Sequence, residues 1–189
     1  MSSIANNPTM QNVDTLRISN RTSVFKTPWF ELVEKSVENN SAPHYSVRTR
    51  DYVSVLAITR DKTFVLVRQF RPAIEMFTLE LPSGHVNEGE TPEQSVRKEL
   101  LEETGFVAEE VTLLGTLAPD TGRLDTRLWC FFAPCVSRNP AIKFDAEHGI
   151  EPIIYKKSLR DLVLNEPAFS SALNLAAILM AEAKGLIKM

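Results

Sequence analysis

Cysteine is nearly absent, with two in 189 residues, Cys130 and Cys135. They lie in one apolar run, and an odd separation along a regular strand sets two side chains on opposite faces. That geometry disfavours a disulfide and reads as reduced core thiols. Long apolar runs are lacking too. The most apolar late segment, Ala168 to Ile187, is broken by Ser170, Ser171, Asn174, Glu182 and Lys184, which makes it a packed helix and not a membrane span. The opening stretch MSSIANNPTMQNVDT has neither a basic nor an apolar region, so no secretory signal is expected, and a soluble, cytoplasmic chain is. An excess of charge is missing as well. A net charge of −3 gives no electrostatic case for nucleic acid or an anionic membrane as partner. There is no Cys/His spacing of a zinc site, no internal repeat and no low-complexity tract.

What is present is ordinary globular material, 43% hydrophobic and 24% charged, enough to form a sizeable core. Residues 1–20 read as a flexible tail, 21–50 as N-terminal strands, and 51–189 as the main domain. Val24 to Val37 carries strand-forming residues around Pro28, which suits an edge or a bulge, and NNSAP at Asn39 to Pro43 is a turn. Strands are predicted at Tyr52 to Ile58, Phe64 to Phe70, Thr78 to Leu81, Val111 to Leu117, Arg127 to Val136 and Ile153 to Tyr155. Helices are predicted after Thr91, at Ser158 to Leu164 and from about Pro167 to Gly185. Strands interleaved with a few helices imply an α/β domain with a mixed sheet.

The helix after Thr91 has clear signals at both ends. Thr91 is a good N-cap, Pro92 fits the first helical position, Gln94 completes a capping box, and Gly105 supplies the stop. Its second half gathers Glu99, Glu102 and Glu103. Like charges at helical spacing cost a few tenths of a kcal/mol per pair, so a positive partner is expected. Taking Val96 as zero, Leu100 falls near about 40°, Glu103 near about 340°, Glu99 near about 300° and Glu102 near about 240°. Glu103 therefore stands at the margin of the apolar stripe, with the other two continuing round the helix. A solvated acidic face is the bland account of such a run. Against it, a carboxylate at a buried margin is costly unless partnered. Clustered carboxylates suit Mg²⁺ or Mn²⁺, with water and a substrate phosphate completing the shell. Gly84, just before the helix, lets backbone approach a phosphate closely.

The spacing from Gly84 through Glu90 to Lys98-Glu99-Leu100-Leu101-Glu102-Glu103-Thr104-Gly105-Phe106 resembles the Nudix box, G-x5-E-x7-R-E-U-x-E-E-x-G-U with U a bulky apolar residue. Every defined position matches except the family arginine, which is Lys98 here. The stretches VLVRQFRPA, LELPSGHVNEGETP and APDTGRLDTRLW extend the likeness toward the ADP-ribose and nucleoside-diphosphate-sugar pyrophosphatase branch.

The resemblance implies an α/β/α sandwich with a mixed sheet, preceded by antiparallel strands that serve in dimerisation. It implies that Glu99, Glu102, Glu103 and the backbone carbonyl of Ser83 hold Mg²⁺, with Mn²⁺ an alternative, and that Glu102 and Glu103 are catalytic. Glu90 and Lys98 then stand behind those ligands, where lysine lacks the bidentate fork of arginine. Arg97, about 100° away round the helix, is a poor substitute. Arg71 is implied at the diphosphate or distal sugar, Gly84 beside the phosphates, and Trp29 and Arg48 at the base. The general base falls in DAEHGIEPIIY, with Glu147 preferred and His148 and Glu151 as alternatives. His44 and His85 read as surface residues. The implied activity is hydrolysis of a nucleoside diphosphate sugar, ADP-ribose foremost, by a homodimer. Alternatives are GDP-mannose, UDP-glucose, dinucleoside polyphosphates or damaged nucleotides, or a non-catalytic nucleotide-sensing module.

Overall fold

The computed structural model describes residues 16–139 and 149–189. In chain order the elements are β1 (Ile18–Lys26), β2 (Glu31–Val37), β3 (His44–Arg48), β4 (Tyr52–Thr59), β5 (Phe64–Arg71), β6 (Met76–Glu80) and β7 (Ser83–His85). Helix α1 (Pro92–Thr104) follows, then β8 (Phe106–Val107), β9 (Thr112–Leu117), β10 (Leu124–Asp125), β11 (Leu128–Arg138), β12 (Ile150–Tyr155), α2 (Leu159–Asn165) and α3 (Ala172–Ala183). The chain forms two compact units. The first comprises residues up to Thr49 together with Asp120–Asp125, and the second comprises Arg50–Pro119 and Thr126–Met189.

The first unit is a four-stranded sheet in the order β1-β2-β3-β10. Pro28 sits between two strands and not within one. The Thr27 amide donates to the Phe30 carbonyl at 2.9 Å, and the Thr27 hydroxyl accepts from the Trp29 and Phe30 amides, closing an antiparallel hairpin. Strand β1 begins at Ile18, inside the stretch expected to be tail. Strand β3 lies within the 21–50 stretch read as strands but was given no bounds of its own, although His44-Tyr45-Ser46-Val47-Arg48 alternates and buries Ser46.

The second unit is built on an eight-stranded mixed sheet with the path β12-β5-β4-β11-β8. β11 runs parallel to β4, while β5, β7 and β9 pair antiparallel with their neighbours. A strand covered on both faces is apolar along most of its length, and β4 is an example, apolar from Val53 to Ala57 except at Ser54. Val53, Val55 and Ala57 join Val96 and Leu100 of α1 on one side. Leu56 joins Leu159 and Leu162 of α2 and Ala177, Ile178 and Ala181 of α3 on the other. This is the expected α/β/α layering. The cysteines are unpaired: Cys130 is buried, and Cys135, where β11 is irregular, is exposed. Burial pushes the Cys130 thiol up to about 11, which leaves it an inert core group.

Helix α3 starts later than expected. Ala168 is withheld from it because its carbonyl accepts the Leu79 amide at 2.9 Å, tying the segment to β6. Helix α1 follows its end signals closely. The Thr91 hydroxyl accepts from the Gln94 amide, the Gln94 side chain returns to the Thr91 amide, and Gly105 closes the helix at φ 74°, a left-handed position that favours glycine. Among the described residues no helix is long and apolar enough to cross a membrane.

Candidate active site

The C-terminal half of α1 and the β7 segment wall a polar cleft of about 400 Å³ in the second unit. Helical spacing turns Glu99, Glu102 and Glu103 toward it, and β7, hydrogen-bonded to β4, brings Ser83 and Gly84 to the same wall. Glu103 is 3% exposed, and its Oε2 accepts the Ser83 amide at 2.9 Å. The margin position read from the helix wheel thus becomes a buried carboxylate held by a backbone N–H. Gly84 is needed for a different reason. A Cβ there would lie 2.1 Å from the Glu99 carboxyl carbon, so the missing side chain is the space in which Glu99 rests.

Glu90 and Lys98 come together as expected, with Nζ 3.6 Å from Oε1. The Ser95 hydroxyl at 2.7 Å and the Asn87 amide at 3.2 Å also donate to Glu90, and these bonds with the Lys98 charge hold its carboxyl below the usual range. Lys98 therefore contributes one point charge, and Ser95 and Asn87 supply the orientation that an arginine fork would give. Arg97 is committed elsewhere, to Glu93 at 2.9 Å and to the Ala108 carbonyl at 2.6 Å.

Arg71 lines the cleft from the end of β5, already engaged with a carboxylate. Its Nε and Nη2 donate to the two Glu80 oxygens at 2.8 and 2.7 Å. Burial alone pushes the Glu80 carboxyl up, but the Arg71 and Thr78 hydrogen bonds outweigh it and hold the group below its ordinary value. The sequence reading missed Glu80. The ELPSG motif contains it, but its pairing crosses from β6 to β5, and no local spacing encodes that register. Glu80 leaves the remaining guanidinium N–H groups of Arg71, which also lines the cleft, unused.

His85 corrects a second expectation. It lines the cleft and lies against Tyr52 with ring centroids 4.6 Å apart. Burial and the nearby Arg50 charge lower its pKa, which favours the neutral imidazole. Gln69 stands on the same wall, 8% exposed, with no partner for its Nε2. Of the remaining expected residues, Glu147 and His148 lie outside the described residues. Glu151 pairs across the ladder with Arg68 at 3.2 Å, and its neighbour Ile150 lines the cleft instead. Trp29 and Arg48 belong to the first unit. There Trp29 is 73% exposed, and Arg48 pairs with Glu31 at 3.3 Å and Asp125 at 3.4 Å.

The model for the NUDIX domain matches residues 48–155, more than half of the chain, and the chain belongs to this family. An ADP-ribose pyrophosphatase of Bacillus subtilis (strain 168) is 30% identical over 109 residues, 54% of this chain and 59% of that protein. The matched stretch thus spans little more than half of that relative. The ADP compounds hydrolase NudE of Escherichia coli (strain K12) is 23% identical over 180 residues, 95% of this chain and 94% of that protein. A crystal structure of an ADP compounds hydrolase superposes with a TM-score of 0.73 at 20% identity, covering 91% of this chain and 97% of that one, which supports the fold.

Nudix hydrolases generally use divalent metal ions. The cleft offers the oxygen donors such ions take, the Glu99, Glu102 and Glu103 carboxylates and the Ser83 backbone. Among the described residues no three His, Cys, Asp or Glu side chains already converge at ion-holding distance. Glu99 rests over Gly84 and Glu103 against the Ser83 amide, so the donors are arrayed along a wall.

Proposed function

We propose that this chain hydrolyses the diphosphate bond of a nucleoside diphosphate sugar, ADP-ribose foremost, to AMP and ribose 5-phosphate. The observation that carries the reading is one cleft lined by Glu99, Glu102 and Glu103 on one side and by Arg71 and Lys98 as cations. The names of the relatives, ADP-ribose pyrophosphatase and ADP compounds hydrolase, support it. Glu99, Glu102, Glu103 and the Ser83 carbonyl are assigned to Mg²⁺, with Mn²⁺ as substitute. The bound cation supplies charge neutralisation for the diphosphate and acidifies a water. Glu103, already fixed by the Ser83 amide, would hold the ion together with Glu99 and Glu102. Arg71 orients the diphosphate with the N–H groups that Glu80 does not use. Water attacks one phosphorus, the bridging P–O bond breaks, and the departing phosphate carries the bridging oxygen away.

The proton of that water is assigned to Glu147. Glu151 is the weaker candidate because Arg68 already holds it. The assignment is checked by Gln or Ala substitution at Glu147, His148 and Glu151, with kcat followed from about pH 6 to 9.5 in saturating Mg²⁺. Loss confined to Glu147 variants is expected, and loss only at His148 or Glu151 reassigns the base. Trp29 and Arg48 are assigned to the nucleobase, and the active form to a homodimer. The activity itself is tested with ADP-ribose, ADP-glucose, GDP-mannose, UDP-glucose and diadenosine polyphosphates, products separated by chromatography. Turnover of ADP-ribose to AMP is expected. Binding without turnover of any of them would leave a nucleotide-sensing module.

A further inference from the structure

A second cavity of about 260 Å³ lies beside the cleft in the same unit, where the start of α3 faces β4. It shares Tyr52, Arg71 and Ser83 with the cleft, so the two spaces meet beside Arg71, the residue assigned to the diphosphate. Two groups on its wall are unsatisfied. Ser54 is 1% exposed and Asn174 is 3% exposed, and neither the Ser54 Oγ nor the Asn174 Nδ2 has a hydrogen-bond partner. Ser171, the N-cap of α3, lines the same space and makes no side-chain cap bond. Buried polar groups are normally paired, and an orphan is a standing cost. A central strand otherwise apolar from Val53 to Ala57 places a serine at this one point.

Size and charge restrict what the cavity can take. It is several times the ~30 Å³ share of one water, so a single bridging water does not account for it. It is below the roughly 300–1,000 Å³ of pockets that hold drug-sized ligands, which points to one ring and not a whole nucleoside. Arg71 and Glu80 both line it, but they neutralise each other in their two-bond fork, so it offers no net charge for a further phosphate. Leu128 and Leu173 supply apolar wall for the C–H face of a ring.

We propose that this cavity reads the sugar on the non-nucleoside side of the diphosphate, with Ser54 and Asn174 hydrogen-bonding its hydroxyls. The inference rests on the diphosphate-sugar reading above. In that arrangement Arg71 stands at the junction of the two spaces, the diphosphate lies on the cleft side, and the sugar satisfies both orphans when it enters.

The test is a chemical double cycle with wild type, Ser54→Ala and Asn174→Ser. ADP-ribose is compared with analogues lacking one hydroxyl on the non-adenosine ribose, each with Mg²⁺. Removing the hydroxyl that is read should lower wild-type kcat/KM about 5- to 30-fold, and a variant lacking its partner should show a similar loss on ADP-ribose but little further loss on the analogue. Either variant suffices, and melting without metal checks that it is folded. Wild-type indifference to every deoxy analogue overturns the inference, as do variant and analogue losses that simply multiply. In both cases diphosphate-sugar hydrolysis stands. No turnover of any diphosphate sugar by wild type removes that reading and the inference with it.

Discussion

Glu103 carries the largest expectation at the scale of single residues, because its carboxylate is both 3% exposed and fixed by the Ser83 amide. Glu103→Gln keeps an acceptor for that N–H and removes the charge. Turnover in saturating Mg²⁺ should fall 100-fold or more, on the order of 3 kcal/mol in the barrier. Metal-free stability should hold or rise slightly as repulsion from Glu99 and Glu102 is relieved. Near-normal turnover would remove Glu103 from the chemistry. Arg71 acts in two ways, and its variants separate them. Arg71→Ala leaves the 6%-exposed Glu80 without its fork, so about 1–3 kcal/mol of stability should be lost, discounted because the Arg71 side chain is 42% exposed. It should also lower kcat/KM about 10- to 1000-fold, the range for losing a charge-assisted contact worth roughly 1.5–3 kcal/mol or somewhat more. Glu80→Gln should reproduce the stability loss with a smaller kinetic one. Equal kinetic losses in the two variants would mean that Arg71 only organises Glu80.

At the scale of elements, α2 is anchored by an acid. Ser158 caps it, and Asp161 accepts from the Tyr155 hydroxyl of β12 at 2.5 Å, from Asn165 at 2.9 Å and from Lys157 at 3.1 Å. The Tyr155 bond foremost holds the Asp161 carboxyl down to about 2, against an ordinary 3.8. A folded-state pKa below the unfolded value gives stability that is full above the ordinary value and lost as pH falls through the folded one. The melting-temperature gap between wild type and Asp161→Asn should therefore be constant above about pH 5 and close between about pH 4 and 2. A gap independent of pH would mean that geometry, not charge, is what Asp161 contributes. This anchor was not legible in the sequence, since it joins a strand to the helix after it through side chains. Helix α1 was legible to the residue, because a capping box and a left-handed glycine are local chemistry. So was the box, whose carboxylates lie within one turn and a half of that helix. The Arg71–Glu80 fork, the His85–Tyr52 contact and the orphans Ser54 and Asn174 were not. Each depends on strand register or on which helix covers which face, and neither leaves a local mark.

For the whole molecule, the first unit presents Val24, Phe25, Trp29, Phe30 and Tyr45, each between 40% and 57% exposed except Trp29 at 73%. An apolar display of this kind on paired strands supports the homodimer proposed above. Light scattering should return twice the 21.2 kDa chain mass, and Trp29→Glu together with Phe25→Glu should shift it toward the single-chain value. A wild-type mass near 21.2 kDa at micromolar concentration would set the dimer aside. The division of the chain has a consequence for anyone who recombines it. The Leu124–Asp125 strand pairs with Val47 and Arg48, yet it is encoded 77 residues downstream of them, between Pro119 and Thr126 of the other unit. A swap of the amino-terminal segment at residue 49 thus transplants three strands and leaves the fourth behind in the donor. Only a two-piece graft, carrying Asp120–Asp125 along with the leading segment, moves that sheet as an inheritable cassette.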